Sequence, residues 1–284
     1  MIAITGASGQ LGRLVIEQLL SKVPASDIVA LVREPAKAAG LQEAGVQVRQ
    51  ADYNRHETLA PALVGVDRLL LISSSEVGHR VVQHRAVIDA AKQAGVKLIA
   101  YTSLLHADSS PLPMAAEHKE TEAELRISGI PHVVLRNGWY TENYLGFVPA
   151  ALEQGVMIGC AGDGLISAAS RRDYALAAAV VLTSEGQGGR VYELAGDESF
   201  TMATLAAEIA RQSGKPVAYQ DLPQTAHKAA LQQAGLPEVI ASVLSESDAG
   251  IVNGGLFDDS RQLSQLIGRP TTPLAVTIKT ALEA

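Results

Sequence analysis

Along the first half of the chain, short and nearly continuous apolar runs alternate with longer stretches in which apolar residues recur every three or four positions. The runs predict strands at Met1–Thr5, Ile28–Arg33, Val46–Gln50, Arg68–Ser73, Lys97–Ser103 and Pro131–Arg136. Runs such as "LLLIS" and "LIAYTS" suit parallel strands buried on both faces. The periodic stretches predict helices at Leu11–Ser21, Pro35–Ala44, Leu59–Leu63, His79–Ala94 and Ala115–Ser128. Gly95 and Gly129 stand just past two of them, where a left-handed residue ends a helix. Strand and helix in strict alternation predict an α/β chain with a doubly wound parallel sheet. Its ligand belongs outside the carboxyl ends of the strands, where strand order reverses.

After Tyr140 the rhythm changes. "SRRDYALAAAVVLTSEG" reads as a helix, "GRVYELAG" as a strand, and "TMATLAAEIARQSG" as a helix capped by Thr201. The expected organisation is a sheet domain over residues 1–140 and a smaller α/β C-terminal lobe over 141–284, with some of its elements crossing back to the first domain. No internal repeat or low-complexity tract interrupts it.

Composition narrows the function classes. The 284 residues are 47% hydrophobic, enough for a real core, and the formal charge is −7, which argues mildly against a nucleic-acid partner. The single cysteine, Cys160, rules out an intramolecular disulfide and suits a reducing compartment. It lies at an apparent strand end in "GVMIGCAGDG" with no histidine beside it in sequence, and is read as a packing residue. No run of about 18 apolar residues occurs, and the N-terminus has no signal-peptide pattern, so a cytoplasmic protein without a membrane partner is expected. No metal site is expected.

The first strand runs into "TGASGQLG", which spaces Gly6, Gly9 and Gly12 as G-x-x-G-x-x-G and opens a helix. One glycine permits the tight turn, another lets backbone N–H groups approach a pyrophosphate, and the last lets helix and strand pack closely. The helix N-terminus adds unpaired donors and positive potential. Gly6, Ala7, Ser8, Gly9, Gln10, Leu11 and Gly12 are therefore candidate dinucleotide contacts. Strand two ends not in an acid, which would take the ribose hydroxyls of NAD, but in Arg33, 21 residues after Gly12. An arginine there pairs with the 2′-phosphate of NADP; the alternative is a solvated arginine at a helix entrance. Strand three ends in "QADYN", where Asp52 could accept from the adenine amino group and Tyr53 lie against the ring, the alternative for Asp52 being a turn aspartate. Strand four ends in Ser73, Ser74 and Ser75, candidates for ribose and pyrophosphate, with Ser75 equally a cap for the next helix.

These residues together resemble the NmrA-like branch of the atypical short-chain dehydrogenases, and within it the bacterial quinone-reductase type. The resemblance is carried by "ITGASGQLG", "LVREPAKA", "QADY", "LLLISSSEVG", "IAYTSLLHAD", "LRNGWYTENY" and "YELAGD", with "GGLFDDS" as a weaker anchor. It implies a Rossmann fold, NADPH as cofactor and reduction of small quinones; an NADP(H)-sensing regulator without turnover is the alternative. Ordinary members of the wider family set a Tyr-x-x-x-Lys pair beside a serine. Here Ser103 occupies the serine position, but if Lys119 is the lysine, the tyrosine position is Ala115. The proton donor for an alkoxide is missing. A quinone, whose reduction leaves a far less basic hydroquinone anion, does without one. His118 is either a donor or a solvent-facing helix residue, the second preferred.

"RNGWYTENY" then places Asn137, Gly138, Trp139 and Tyr140 toward the nicotinamide end, with Ser103 also among the cofactor contacts. Trp139 and Tyr140 would offer a flat wall to an aromatic acceptor, and Asn143 and Tyr144 hydrogen bonds to its oxygens. Tyr140 and Asn143 are the candidates for positioning the acceptor; for Trp139 the alternative is a core position. Assembly into a homo-oligomer is left open.

Overall fold

In a computed structural model, which describes residues 1–283, the chain runs β1 (Ile2–Ile4), α1 (Gln10–Leu20), β2 (Ile28–Val32), α2 (Ala39–Glu43), β3 (Gln47–Gln50), α3 (Leu59–Ala62), β4 (Arg68–Leu71), α4 (Arg80–Ala94), β5 (Leu98–Leu104), α5 (Ala115–Ser128) and β6 (His132–Asn137). It continues with α6 (Thr141–Leu145), α7 (Val148–Gln154), β7 (Val156–Gly159), α8 (Arg171–Thr183), β8 (Val191–Leu194), α9 (Met202–Ser213), β9 (Ala218–Asp221), α10 (Gln224–Gln233), α11 (Glu238–Val252), α12 (Gln262–Ile267) and α13 (Leu274–Leu282). Two compact units result. The first comprises residues 1–107, 116–137 and 171–193; the second comprises 108–115, 138–170 and the described residues from 194 onward.

The first unit holds most of a seven-stranded sheet in the order β3-β2-β1-β4-β5-β6-β8. The pairs from β3 through β6 are parallel. Every residue of β1, β2 and β5 is buried, which is why these strands read as apolar runs rather than alternations. On one face Ala3, Val29, Leu31, Leu69, Leu71, Ile99 and Tyr101 pack with residues of α3, α4 and α5 into one apolar cluster. α1 and α8 pack together, α8 also contacting β4 and β5; Arg172 reaches Glu17 at 2.8 Å. Strand order reverses between β1 and β4, so a crevice is expected at their carboxyl ends.

The second unit pairs β7 with β9 in parallel and surrounds them with α6, α7 and α9–α13. As expected, Thr201 caps α9, its Oγ1 accepting from Thr204 N at 3.1 Å. Cys160 follows β7 directly and is buried. Among the described residues, no helix is long and apolar enough to cross a membrane.

Candidate functional site

The loop after β1 is built from hydrogen bonds that leave its outer surface open. Gly6 takes φ +57°, a conformation that costs L side chains energy. Gly9 N donates to Gly6 O (2.9 Å), Ala7 N to Leu31 O (3.3 Å), and Arg13 Nε to Ser8 O (2.9 Å). Ala7 is buried; Gly6, Ser8, Gly9 and Gln10 are exposed. Gly9 is the N-cap of α1 and, having no side chain, caps nothing, and no acid occupies the first turn. The N–H groups of Gln10, Leu11 and Gly12 therefore face outward with no helical acceptor. A Cβ on Gly12 would lie 2.4 Å from Gly6 O and 2.8 Å from Ala7 Cα. Only glycine lets the helix approach its own loop this closely. An anion fits such a cradle.

The neighbouring strand ends are tied to one another by hydrogen bonds. Thr5 Oγ1 donates to Leu70 O (3.1 Å) and accepts from Ile72 N (2.8 Å), and Tyr53 Oη donates to Ile72 O (2.8 Å). Ser73 N donates to Thr102 Oγ1 and Ser74 N to His84 Nε2, both at 2.9 Å, while Arg80 Nε donates to Ser74 O at 2.6 Å. Arg33, exposed at the end of β2, has its guanidinium 3.8 Å from Glu76. Asp52 Oδ1 accepts from Asn54 N (3.0 Å), the geometry of a turn aspartate. The carboxyl ends of β1 through β5, with Gly6–Gly12, Arg33, Asp52, Tyr53 and Ser73–Ser75, thus lie along one edge of the sheet.

Two expectations need correction. Ser75 does not cap the following helix, which starts at Arg80 with His79 as its N-cap. His118 does not face solvent; it is buried, and its Nδ1 lies 2.8 Å from Tyr101 Oη. Burial holds His118 and His84 neutral, each pushed down to about 3, and raises Tyr53 and Tyr101 above the usual phenol range.

Ser103 is committed elsewhere. Its hydroxyl donates to Glu122 Oε1 at 2.6 Å. Glu122 in turn accepts both Nε (3.0 Å) and Nη2 (2.8 Å) of Arg136, whose Nη1 reaches Glu193 at 2.8 Å. Glu122 raises the Arg136 guanidinium further above its ordinary range. Lys119 is exposed and Ala115 buried. Next to Arg136, Asn137 is buried at the end of β6, and its Oδ1 has no hydrogen-bond partner. That orphaned acceptor suits a ligand that brings an N–H.

In the second unit, Gly138 N donates to Leu194 O (2.8 Å), Ala169 N to Trp139 O (3.2 Å) and Thr141 N to Ala169 O (2.9 Å). This fixes Trp139, Tyr140 and Asn143 on one short segment. Trp139 and Tyr140 are half-buried, and Asn143 is exposed. Tyr144 is buried with its ring 6.2 Å from Trp139 and 5.8 Å from Phe200, and its hydroxyl has no partner.

Sequence reasoning missed Thr102, His84, Arg80 and the Glu122–Arg136–Glu193 network, which hold the site in place. Their only signal is polar residues at helical and strand positions that turn out to face the core.

A model of the NmrA-like family matches residues 1–269. The chain is 61% identical to quinone oxidoreductase 2 of Escherichia coli (strain K12) over 278 residues, 98% of this chain and 97% of that protein. The crystal structure of NADPH-dependent quinone oxidoreductase from Escherichia coli complexed with NADPH superposes with a TM-score of 0.97 at 60% identity, covering 99% and 100% of the two chains. The Citrobacter triphenylmethane reductase complexed with NADP(H) gives a TM-score of 0.95 at 42% identity, covering 99% and 100%.

Proposed function

The chain belongs to the NmrA-like family, and from that premise we propose that it reduces small quinones by hydride transfer from NADPH. The observation that carries the cofactor half is the uncapped N-terminus of α1 behind its glycine turn. The amides of Gln10, Leu11 and Gly12 hold the pyrophosphate, and Ser73–Ser75 line the ribose side. Arg33 takes the 2′-phosphate, with Asp52 and Tyr53 at the adenine. Asn137 gives its free Oδ1 to the carboxamide N–H, and Gly138 follows it toward the acceptor. Bound NADPH supplies the hydride.

What the chain's own residues do for the acceptor is position it. Trp139 and Tyr140 offer an aromatic wall, and Asn143 a hydrogen bond to a quinone oxygen. Ser103 donates its hydrogen bond to Glu122, and no tyrosine stands at position 115, so the usual acid is lacking. Quinone reduction tolerates this, because the ring delocalises the charge of the product anion and water can supply its proton. Catalysis rests on orientation. A single cysteine suits a reducing compartment, which supports reading the protein as cytoplasmic.

The test is NADPH oxidation against matched panels of benzoquinones, naphthoquinones, ketones and aldehydes. Turnover should be confined to the quinones. Tyr140→Ala or Asn143→Ala should lower kcat/KM several-fold, about 1 kcal/mol, with NADPH affinity nearly intact. Brisk ketone reduction would reveal a proton donor other than these residues. Tight NADPH binding with no quinone turnover would make the protein a sensor rather than an enzyme.

A further inference from the structure

The second unit carries a cluster of ligating side chains that quinone reduction does not use. Cys160 follows β7, His227 lies in α10 and Asp248 in α11, and one ligand atom of each lies within 4.8 Å of the others. Cys160 Sγ is 3.4 Å from His227 Nδ1, and Asp248 Oδ2 is 3.4 Å from that same nitrogen. Asp248 Oδ2 also accepts from Cys160 N at 3.3 Å. Cys160 and His227 are buried, and the Asp248 side chain is 15% exposed.

The convergence on one nitrogen separates two kinds of chemistry. A nucleophile relay uses both ring nitrogens, one toward the nucleophile and one toward the carboxylate. Here thiol and carboxylate share Nδ1, so no relay can form. Three donors around a common point instead suit a tetrahedral cation. With Zn–S near 2.3 Å and Zn–N and Zn–O near 2.0 Å, the edges of such a tetrahedron are about 3.6 Å (S–N) and about 3.3 Å (N–O). In the structure both of these separations are 3.4 Å, and all three ligand atoms lie within 4.8 Å of one another.

The surroundings are shaped for the cluster. A Cβ on Gly159 would come within 3.0 Å of both Asp248 Oδ2 and Tyr219 Oη, so glycine is what lets β7 approach. Tyr219 Oη accepts from Ala161 N (3.0 Å) and donates to Asp221 (2.9 Å), which also accepts from Gly162 N (2.8 Å). Without a cation, the thiol keeps its proton and donates it to Ser245 O at 3.3 Å. Burial, with the Asp248 and Asp221 carboxylates, pushes it up to about 12. A divalent ion reverses this, since thiolate and carboxylate together neutralise its charge. Sulfur and imidazole in the donor set select zinc-like ions over calcium or magnesium, which take oxygen.

We propose that Cys160, His227 and Asp248 bind one zinc ion, with water in the fourth position. On binding, the thiol proton leaves to solvent and sulfur becomes the ligand. The test is titration of the full-length, chelator-stripped protein with Co²⁺ alone, followed by absorption. The expected result is one equivalent bound, with visible bands of tetrahedral cobalt and a thiolate-to-cobalt charge-transfer band, all displaced by one equivalent of Zn²⁺. Because Cys160 is the only cysteine, the charge-transfer band reports this site alone. Cys160→Ser should abolish that band. His227→Gln and Asp248→Asn should each weaken cobalt binding at least about tenfold. NADPH binding measured on each variant identifies those that remain folded. No stoichiometric uptake, or uptake without the charge-transfer band, would overturn the proposal.

Discussion

Acid should destabilise this protein through two buried histidines, and His84 shows why. Its Nε2 accepts the N–H of Ser74 at 2.9 Å. Its Nδ1 lies 2.9 Å from Thr121 Oγ1, whose own proton goes to Glu117 O. Nδ1 therefore carries the ring's single proton, and a second proton on Nε2 would face a donor. Burial, with Arg80 nearby, pushes this histidine down to about 3, against about 6.5 when unfolded. Between those values the unfolded chain binds the extra proton. The stabilisation is complete above the unfolded pKa and is lost as pH falls below it. From about pH 7 to about pH 5 the loss is about 2 kcal/mol for one such group. His118, also pushed down to about 3, doubles it to about 4 kcal/mol, a large part of the roughly 5–15 kcal/mol typical of a domain. Urea denaturation at the two pH values measures this. Wild type should lose about 4 kcal/mol and His84→Gln about half that, whatever its stability at neutral pH. A variant that keeps the whole wild-type loss would refute the reasoning. In the folded protein His84 stays neutral across this window and keeps its bond from Ser74 N, so NADPH affinity should change little through His84 while stability falls.

Three further outcomes follow from the cofactor face. Arg33→Ala should weaken NADPH about ten- to a hundredfold, the worth of a charge-assisted bond of roughly 1.5–3 kcal/mol, and leave NADH unchanged; titration calorimetry with both cofactors checks it, and equal losses would remove the phosphate role. Gly9→Val should abolish NADPH binding while the fold survives, because Gly9 has φ −75° and its nearest obstacle is Gly6 O at 3.1 Å; circular dichroism and cofactor titration separate the two effects. Gly12→Ala, by contrast, drives a methyl into backbone at 2.4 Å and should cost stability before it costs affinity, about 1–3 kcal/mol or more by urea denaturation.

The doubly wound sheet was readable because its strands are buried on both faces. The resulting apolar runs, such as residues 69–71 and 98–101, cannot be mistaken for solvent-exposed hairpins. The glycine turn was readable because each glycine answers a local requirement of backbone angle or approach. Other features depend on partners remote in sequence. α8 packs on α1 some 150 residues away, and its alanine-rich pattern carries no mark of that destination. Cys160 meets His227 and Asp248 across separations of 67 and 88 residues. His84 and His118 lie on helices of low amphipathicity, where a buried polar residue and a surface one look alike until tertiary packing distinguishes them.

The Ser103 network explains how a site can keep a familiar residue and lose its chemistry. Glu122 and Glu193 bring two negative charges to one Arg136, so the group needs more donors than the guanidinium alone provides. Ser103 Oγ supplies one to Glu122, and the His106 N–H supplies another to Glu193 at 2.9 Å. A buried carboxylate left without such partners would cost several kcal/mol. The hydroxyl therefore stays where the ion pair needs it and is withheld from any reacting oxygen. In the sheet register Ser103 lies opposite Arg136 and Leu104 opposite Asn137. The same network that occupies the serine clamps the ends of β5 and β6 together. That clamp holds the buried, unpaired Oδ1 of Asn137 in a fixed place. Fixing an acceptor for a bound ligand serves a reaction that depends on orientation. Proton donation does not require it, and with Ser103 committed and position 115 an alanine, the quinone is the acceptor this arrangement suits.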